Sequence, residues 1–323
     1  MATSRSWRPH TVEGPFRARV EEISELNQVF SDSFTERYRR DGMVGVRVPF
    51  LNPTIWRYAI EDAADGAMLW RDERGRIVSF NMVHRSGTEG WMGPLAVRTE
   101  YQGSGTGKEM VMRGVEWLKS QGATVIGLET MPRTMDNIGF YSRLGFIPGR
   151  LTLTTTLEAG YADAPAVLFG HLSARERDSA LEECRALVHR LSPGSDYSRE
   201  IVLTHELVLG DTVLLYHGST LAGFALAHTA PLVEGRARDE LRVLKLVLED
   251  ETRFDEFLTA ISDFARRSGT RRIAVRLQGE FLAPYQRMIA LGGHVRWTDL
   301  RMSFGGFEER RPQSGLVLSN WEI

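Results

Sequence analysis

Residues 100–110, "EYQGSGTGKEM", place Gly103, Gly105 and Gly107 between the apolar run "WMGPLAV" (91–97) and a stretch in which Val111, Val115 and Leu118 recur at helical spacing. A strand joined to a helix by alternating glycines is a narrow specification. The first turn of any helix leaves its N–H groups without intrahelical partners, and glycines in front of it let an anion approach them closely. The segment therefore predicts an α/β unit with a phosphate cradle at one helix start. Two common cradles do not fit. A P-loop, G-x-x-x-x-G-K-[ST], would begin at Gln102 and end at Glu109, a carboxylate where magnesium needs a hydroxyl. A dinucleotide fingerprint, G-x-G-x-x-G, would end on Met110.

The third frame is Gln102-Gly103-Ser104-Gly105-Thr106-Gly107, a Q-x-x-G-x-G between strand and helix. Here the sequence resembles the GNAT superfamily of N-acetyltransferases, whose hallmark at this point is [RQ]-x-x-G-x-[GA]. A second segment, "NIGFYSRLGF" (137–146), is similar to the family's second acetyl-CoA segment, with Tyr141, Gly145 and Phe146 matching. Family members often carry an asparagine where this chain has Thr134, and Asn137 stands nearer the tyrosine. The resemblance covers about residues 14–158.

What the resemblance implies follows residue by residue. Gln102 to Lys108 would hold the pyrophosphate of acetyl-CoA. The backbone of Leu95, Ala96 and Val97 would pair with its pantetheine arm, and Thr134 or Asn137 would give a polar contact nearby. Tyr141 would protonate the departing thiolate, and Glu89, with His84 behind it, is the candidate base for the amine. The implied function is acetyl-CoA-dependent N-acetyl transfer to a small-molecule or peptide amine by direct attack in a ternary complex. The alternative is a non-catalytic acetyl-CoA sensor. A homodimer is compatible with either. The segment 41–60 lies where the family builds acceptor sites, and Phe50, Trp56 and Tyr58 lean toward an acceptor with an apolar part.

At 323 residues the chain suits two domains, and its second half repeats the order of the first: long helix, hairpin, strand, helix, strand, short helix, strand. Ser173 and Glu176 form a capping-box pattern for the helix that ends near Arg190. The expected architecture is α/β with mixed sheets. Two GNAT-like domains, 1–160 and 161–323, would each have a central, mostly antiparallel twisted sheet flanked by helices, with the boundary near Gly160–Pro165. The second half lacks the cradle. After "KLVL" come Glu249, Asp250, Glu251 and Asp255 with no glycine, and Thr252 with Asp255 would cap the helix themselves, which marks a degenerate copy.

The formal charge of −2 argues against a nucleic-acid partner. The single cysteine, Cys184, allows no internal disulfide and reads as a small core residue. No cysteine pair or H-x-x-x-H suggests a metal. Neither a leader nor an apolar run of membrane-spanning length is evident, so a soluble cytoplasmic protein is expected.

Overall fold

The computed structural model describes residues 11–160 and 165–323, so the expected boundary near Gly160–Pro165 falls mostly outside the described residues. The first half runs β1 (Val12–Arg17), α1 (Ile23–Arg40), α2 (Pro53–Ala63), β2 (Ala67–Asp72), β3 (Ile77–Ser86), β4 (Glu89–Val97), α3 (Thr106–Ser120), β5 (Val125–Thr130), α4 (Met135–Arg143) and β6 (Phe146–Glu158). The second continues with β7 (Val167–Leu168), α5 (Ala174–Leu191), α6 (Ser198–Glu206), β8 (Gly210–His217), β9 (Thr220–His228), β10 (Glu240–Leu248), α7 (Phe254–Arg267), β11 (Arg272–Gln278), α8 (Leu282–Ala290), β12 (His294–Phe304) and β13 (Leu316–Ser319). Among the described residues no helix is long and apolar enough to cross a membrane.

Local signals account for several ends. Pro53 opens α2 while the Asn52 side chain accepts from Thr54 N at 3.0 Å. Ser173 and Glu176 form the expected capping box of α5. At α7 the expectation fails: Asp250 accepts from Thr252 N at 2.9 Å, and Asp255 instead pairs with Arg287 at 2.7 Å. The 3₁₀ turn 251–253 precedes α7, which moves the cap back to Asp250.

The strands form one continuous sheet in the order β1-β2-β3-β4-β5-β12-β6-β11-β10-β9-β8-β7, with β13 against β10. The closing strands are exchanged. β12, from the second half, lies beside β5 with Leu300 opposite Thr130, and β6, from the first half, lies beside β11 with Thr155 opposite Val275. The 160/161 division therefore separates the sequence but not the sheet, since each half completes the other's layer. β4–β5 and β10–β11 are parallel, each pair bridged by a crossover helix, α3 or α7; the other pairings are antiparallel.

Both faces are covered. α1 and α2 bury Leu26, Ile55, Trp56 and Phe80 against one face of the first half, with Trp321 and Ile323 from the chain's other end in the same cluster. α3 and α4 bury Met110, Val111, Val115, Leu118 and Tyr141 on the opposite face. Asn27 on α1 fixes the chain between α1 and α2: its side chain donates to Leu51 O and accepts from Leu51 N and Trp56 Nε1, each at 2.8 Å. Trp56 and Tyr58 are thus core residues, 0% and 3% exposed, and do not line an acceptor cleft as their sequence position had suggested. Cys184 is buried, as expected.

Candidate active site

The parallel pairing of β4 with β5 runs only from Glu89–Val125 to Met92–Leu128, and β4 then leaves its neighbour. From Gly93 onward the β5 side of β4 is an open edge. Arg98 N donates to Val78 O, which puts Ala96 and Phe80 in a hydrogen-bonded pair of the antiparallel ladder. The polar backbone of Ala96 is therefore spent on β3, and only Leu95 and Val97 turn N–H groups to the gap. Ala96 drops out of the expected cofactor edge. The carbonyl of Val97 is taken too, by Ser33 Oγ at 3.2 Å and Gln102 Nε2 at 3.0 Å.

Gln102 thus ties the glycine loop to the end of β4, while its Oε1 accepts from Arg40 at 2.9 Å. Ser104 Oγ braces the turn through Tyr101 O at 2.6 Å and Thr106 Oγ1 at 2.9 Å. Gly105 caps α3 with φ +96° and offers no side-chain cap, so the N–H groups of Thr106, Gly107 and Lys108 are left for a ligand. A Cβ at Gly103 or Gly105 would meet no protein atom within 4 Å. Lys108 and Glu109 are exposed, with Glu109 turned to Trp70 Nε1 at 3.4 Å, away from the cradle. This open, uncapped, glycine-lined helix start fits a pyrophosphate.

The third part closes on the same point. A Cβ at Gly107 would lie 3.5 Å from Phe140 and 3.7 Å from Val97, so β4, α3 and α4 converge there. Next to Phe140, Tyr141 is 6% exposed and packs between Phe140 and Phe146. Burial raises its hydroxyl above the ordinary tyrosine value, which keeps the proton on. Asn137 is half-buried in the first turn of α4. Thr134 does not reach the gap: it is fully buried and its hydroxyl donates to Asp41 at 2.8 Å.

Glu89 is not a base for this site. It sits where β4 and β5 are still paired, 5% exposed, and accepts from Tyr197 at 3.1 Å and from Trp321 Nε1. Both donors come from the second half, so Glu89 holds the halves together. Glu89→Ala should strand two buried donors, at about 1–3 kcal/mol each. The expected result is a lowered midpoint in denaturant with unchanged turnover per folded molecule. His84 is likewise satisfied: it is fully buried, stacked on Trp91 at 4.0 Å, with Nδ1 against Asp62 and Nε2 donating to Gly93 O at 3.1 Å.

Sequence reasoning missed a group on the α1 face of the gap. Arg276 of β11 meets Glu129 of β5 at 2.6 Å, Asp299 of β12 at 3.1 Å and Glu322 at 2.5 Å. Burial opposes ionisation of Glu129, but Arg276, Arg301 and Thr152 outweigh it and hold the carboxyl below its usual range. At Asp299 burial wins over Arg276, and Glu322 and Glu129 add to it, raising the carboxyl to about 7. Tyr38 on α1 lies 6.5 Å from Trp297, ring to ring. Its hydroxyl is raised by burial and by Glu322, Asp299 and Asp41. No local pattern could flag Asp299, because strand exchange alone brings it to β5.

Among the described residues no group of histidine, cysteine and carboxylate side chains is arranged to hold a metal. Residues 25–146 match the acetyltransferase (GNAT) family. N-alpha-acetyltransferase 30 of Schizosaccharomyces pombe is 34% identical over 96 residues, 28% of this chain; the match spans 64% of that relative, less than two thirds. Solved structures share the fold across nearly the whole chain. A putative acetyltransferase from Pyrococcus horikoshii superposes with TM-score 0.68 at 14% identity, over 99% of this chain and 98% of its own. A tandem GNAT protein from the clavulanic acid biosynthesis pathway gives 0.59 at 10% identity, over 93% and 100%. Saccharomyces cerevisiae N-myristoyltransferase with bound myristoyl-CoA gives 0.61 at 9% identity, over 95% and 81%.

Proposed function

We propose that this protein transfers an acetyl group from acetyl-CoA to a free amine, a reading supported by the match of residues 25–146 to the acetyltransferase (GNAT) family and by a fold shared with a tandem GNAT protein. The observation that carries the reading is the convergence on Gly107 of an open strand edge, an uncapped helix start and the helix bearing Tyr141. Acetyl-CoA supplies a thioester, an acyl group on a good leaving group. The N–H groups of Thr106, Gly107 and Lys108 would hold its pyrophosphate with the α3 dipole behind them, and Gly103 and Gly105 keep that approach clear. The N–H groups of Leu95 and Val97 are placed to hydrogen-bond its extended arm and to polarise the reacting carbonyl. Tyr141, buried and protonated, is the proton source for the leaving sulfur. A calorimetric titration with coenzyme A, followed by an acetyl-CoA turnover assay on an amine panel, tests the proposal. A chain that fails to bind coenzyme A would end it.

The second half serves in this reading as a degenerate copy that lends β12. Its counterpart of the open edge is closed. β10 pairs with β11 only over Glu240–Val243, and β13 then occupies the edge from Lys245 to Leu248. Asp250 caps the turn before α7, and Glu249 and Glu251 pair with Arg190 and Arg311, each at 3.3 Å. The acidic residues are compensated, so the occupied edge and the missing glycines matter more than repulsion. Calorimetry should give one coenzyme A per chain, unchanged in Glu249→Ala. A stoichiometry of two would show that the second half is a working site.

A further inference from the structure

We propose that the mouth between Tyr38 and Trp297 receives the acceptor as a cationic primary amine on a flat, apolar body, and that Asp299 is the base that takes its proton; this rests on the acyl-transfer reading above. The placement comes first. The last turns of α1 run along the gap: Ser33 touches Val97 O, Arg37 reaches Asp136 of α4 at 3.1 Å, Arg40 reaches Gln102, and Asp41 holds Thr134. Tyr38 is five residues from Ser33, about 7–8 Å along the helix. Asp299 precedes Leu300, the partner of the last β5 residue, so it lies at the end of β5 where β4 has turned away.

Charge comes second. Glu129, Asp299 and Glu322 all meet the guanidinium of Arg276, with Arg301 3.8 Å from Glu129 and Arg242 also acting on Glu322. Asp299 is 8% exposed. Its Oδ1 accepts from Trp297 Nε1 at 3.3 Å, while Oδ2 is in ion-pair contact with Arg276 but receives no hydrogen bond. That oxygen is enclosed and keeps an unused acceptor position, the one that an ammonium reaching Asp299 would take. Once ionised, Asp299 is the carboxylate that shares Arg276 with two others, and a cationic acceptor would supply the counter-charge that a neutral one does not. The aromatic pair comes third. Trp297 keeps 40% exposure beside Tyr38, although a tryptophan with that much surface is ordinarily buried further. Two ring faces next to a carboxylate suit a cation on an aromatic or aliphatic body.

The chemistry balances. The ammonium gives one proton to Asp299, and the freed lone pair bonds to the acetyl carbon. The carbon–sulfur bond breaks with its electrons on sulfur, and sulfur takes the Tyr141 proton. The second nitrogen proton, lost as the amide forms, restores the tyrosine. One proton per turnover reaches solvent. The charged or titratable groups facing Asp299 are Arg276 of β11, Glu129 of β5, Glu322 of the last residues and Tyr38 of α1. With its carboxyl raised to about 7, the base is ionised above that pH and protonated below it.

The test uses phenethylamine and tryptamine against their neutral counterpart 2-phenylethanol, on the full chain, by calorimetry with and without coenzyme A and by acetyl-transfer assay from pH 5.5 to 9. The expected result is that the amines bind and 2-phenylethanol does not, with amine affinity rising through pH 7. Asp299→Asn should lose that pH dependence and lower kcat/KM by roughly 10²-fold or more. Asp299→Glu should recover part of the activity. Trp297→Ala should raise KM for the amine by about 3–30-fold with a smaller change in kcat. Unchanged coenzyme A affinity in each variant reports an intact fold. Turnover in Asp299→Asn equal to the parent's, a pH 7 inflection that survives in it, or equal binding of 2-phenylethanol would each overturn the proposal. Loss of coenzyme A binding in the parent would instead sink the acyl-transfer reading, and amine binding measured without cofactor would still read the charge preference of the mouth.

Discussion

Tyr141→Phe should lower kcat by roughly 10²–10⁴ while leaving the affinity for coenzyme A nearly unchanged. The hydroxyl lies on a ring already packed between Phe140 and Phe146, so removing it leaves the packing intact. Burial raises it above the ordinary value, and it therefore stays protonated across the physiological range. Its proton is what the departing sulfur needs, and a phenylalanine ring has none to give. Stability should hold within a few tenths of a kcal/mol, since burial alone acts on the hydroxyl and no partner among the described residues loses a hydrogen bond. Parent-like turnover in the phenylalanine variant would show that water or another group protonates the sulfur.

The glycine cradle should be as sensitive, through binding instead of chemistry. Gly105→Val should abolish measurable coenzyme A binding. At φ +96° a β-branched residue is strained, and the branched side chain would fill the open space where the phosphates belong. Because strain alone could distort the loop, Gly107→Ala serves as the control. Gly107 lies within the helix, and its added Cβ would make ordinary contacts with Phe140 and Val97. It should fold with unchanged or slightly higher stability, since alanine suits a helix better than glycine by about 1 kcal/mol. It should keep its coenzyme A affinity, because the added Cβ faces Phe140 and Val97 and the family pattern itself admits alanine at this position. Calorimetry beside a denaturation midpoint separates the two effects. Normal affinity in Gly105→Val would remove this loop from the cofactor site.

Some of this was legible in the residues themselves. The glycine loop, the helix following it and the Tyr141 segment are local patterns, since a cradle needs its glycines at fixed offsets from the helix start. The capping box of α5 and Pro53 of α2 were readable for the same reason, each depending on neighbours within four residues. The absence of glycines before α7 is a local pattern of the same kind. The reason the second half has no open edge was not visible, because β13 reaches β10 only after the chain has returned from β12.

What the tertiary structure decided was which polar groups are already spent. Thr134 and Glu89 carry the right chemistry in sequence, but Asp41 claims one and Tyr197 and Trp321 claim the other. Ala96 is excluded by ladder phase, which one hydrogen bond from Arg98 fixes. Asp299 lies on the far side of the chain until β12 exchanges with β6 and sets it beside β5. The sequence determined the glycine loop and the Tyr141 segment because both are short-range constructions. The charged group around Arg276 is assembled from β5, β11, β12 and the last residues, and its balance exists only once burial has removed water from around Arg276, Glu129 and Asp299.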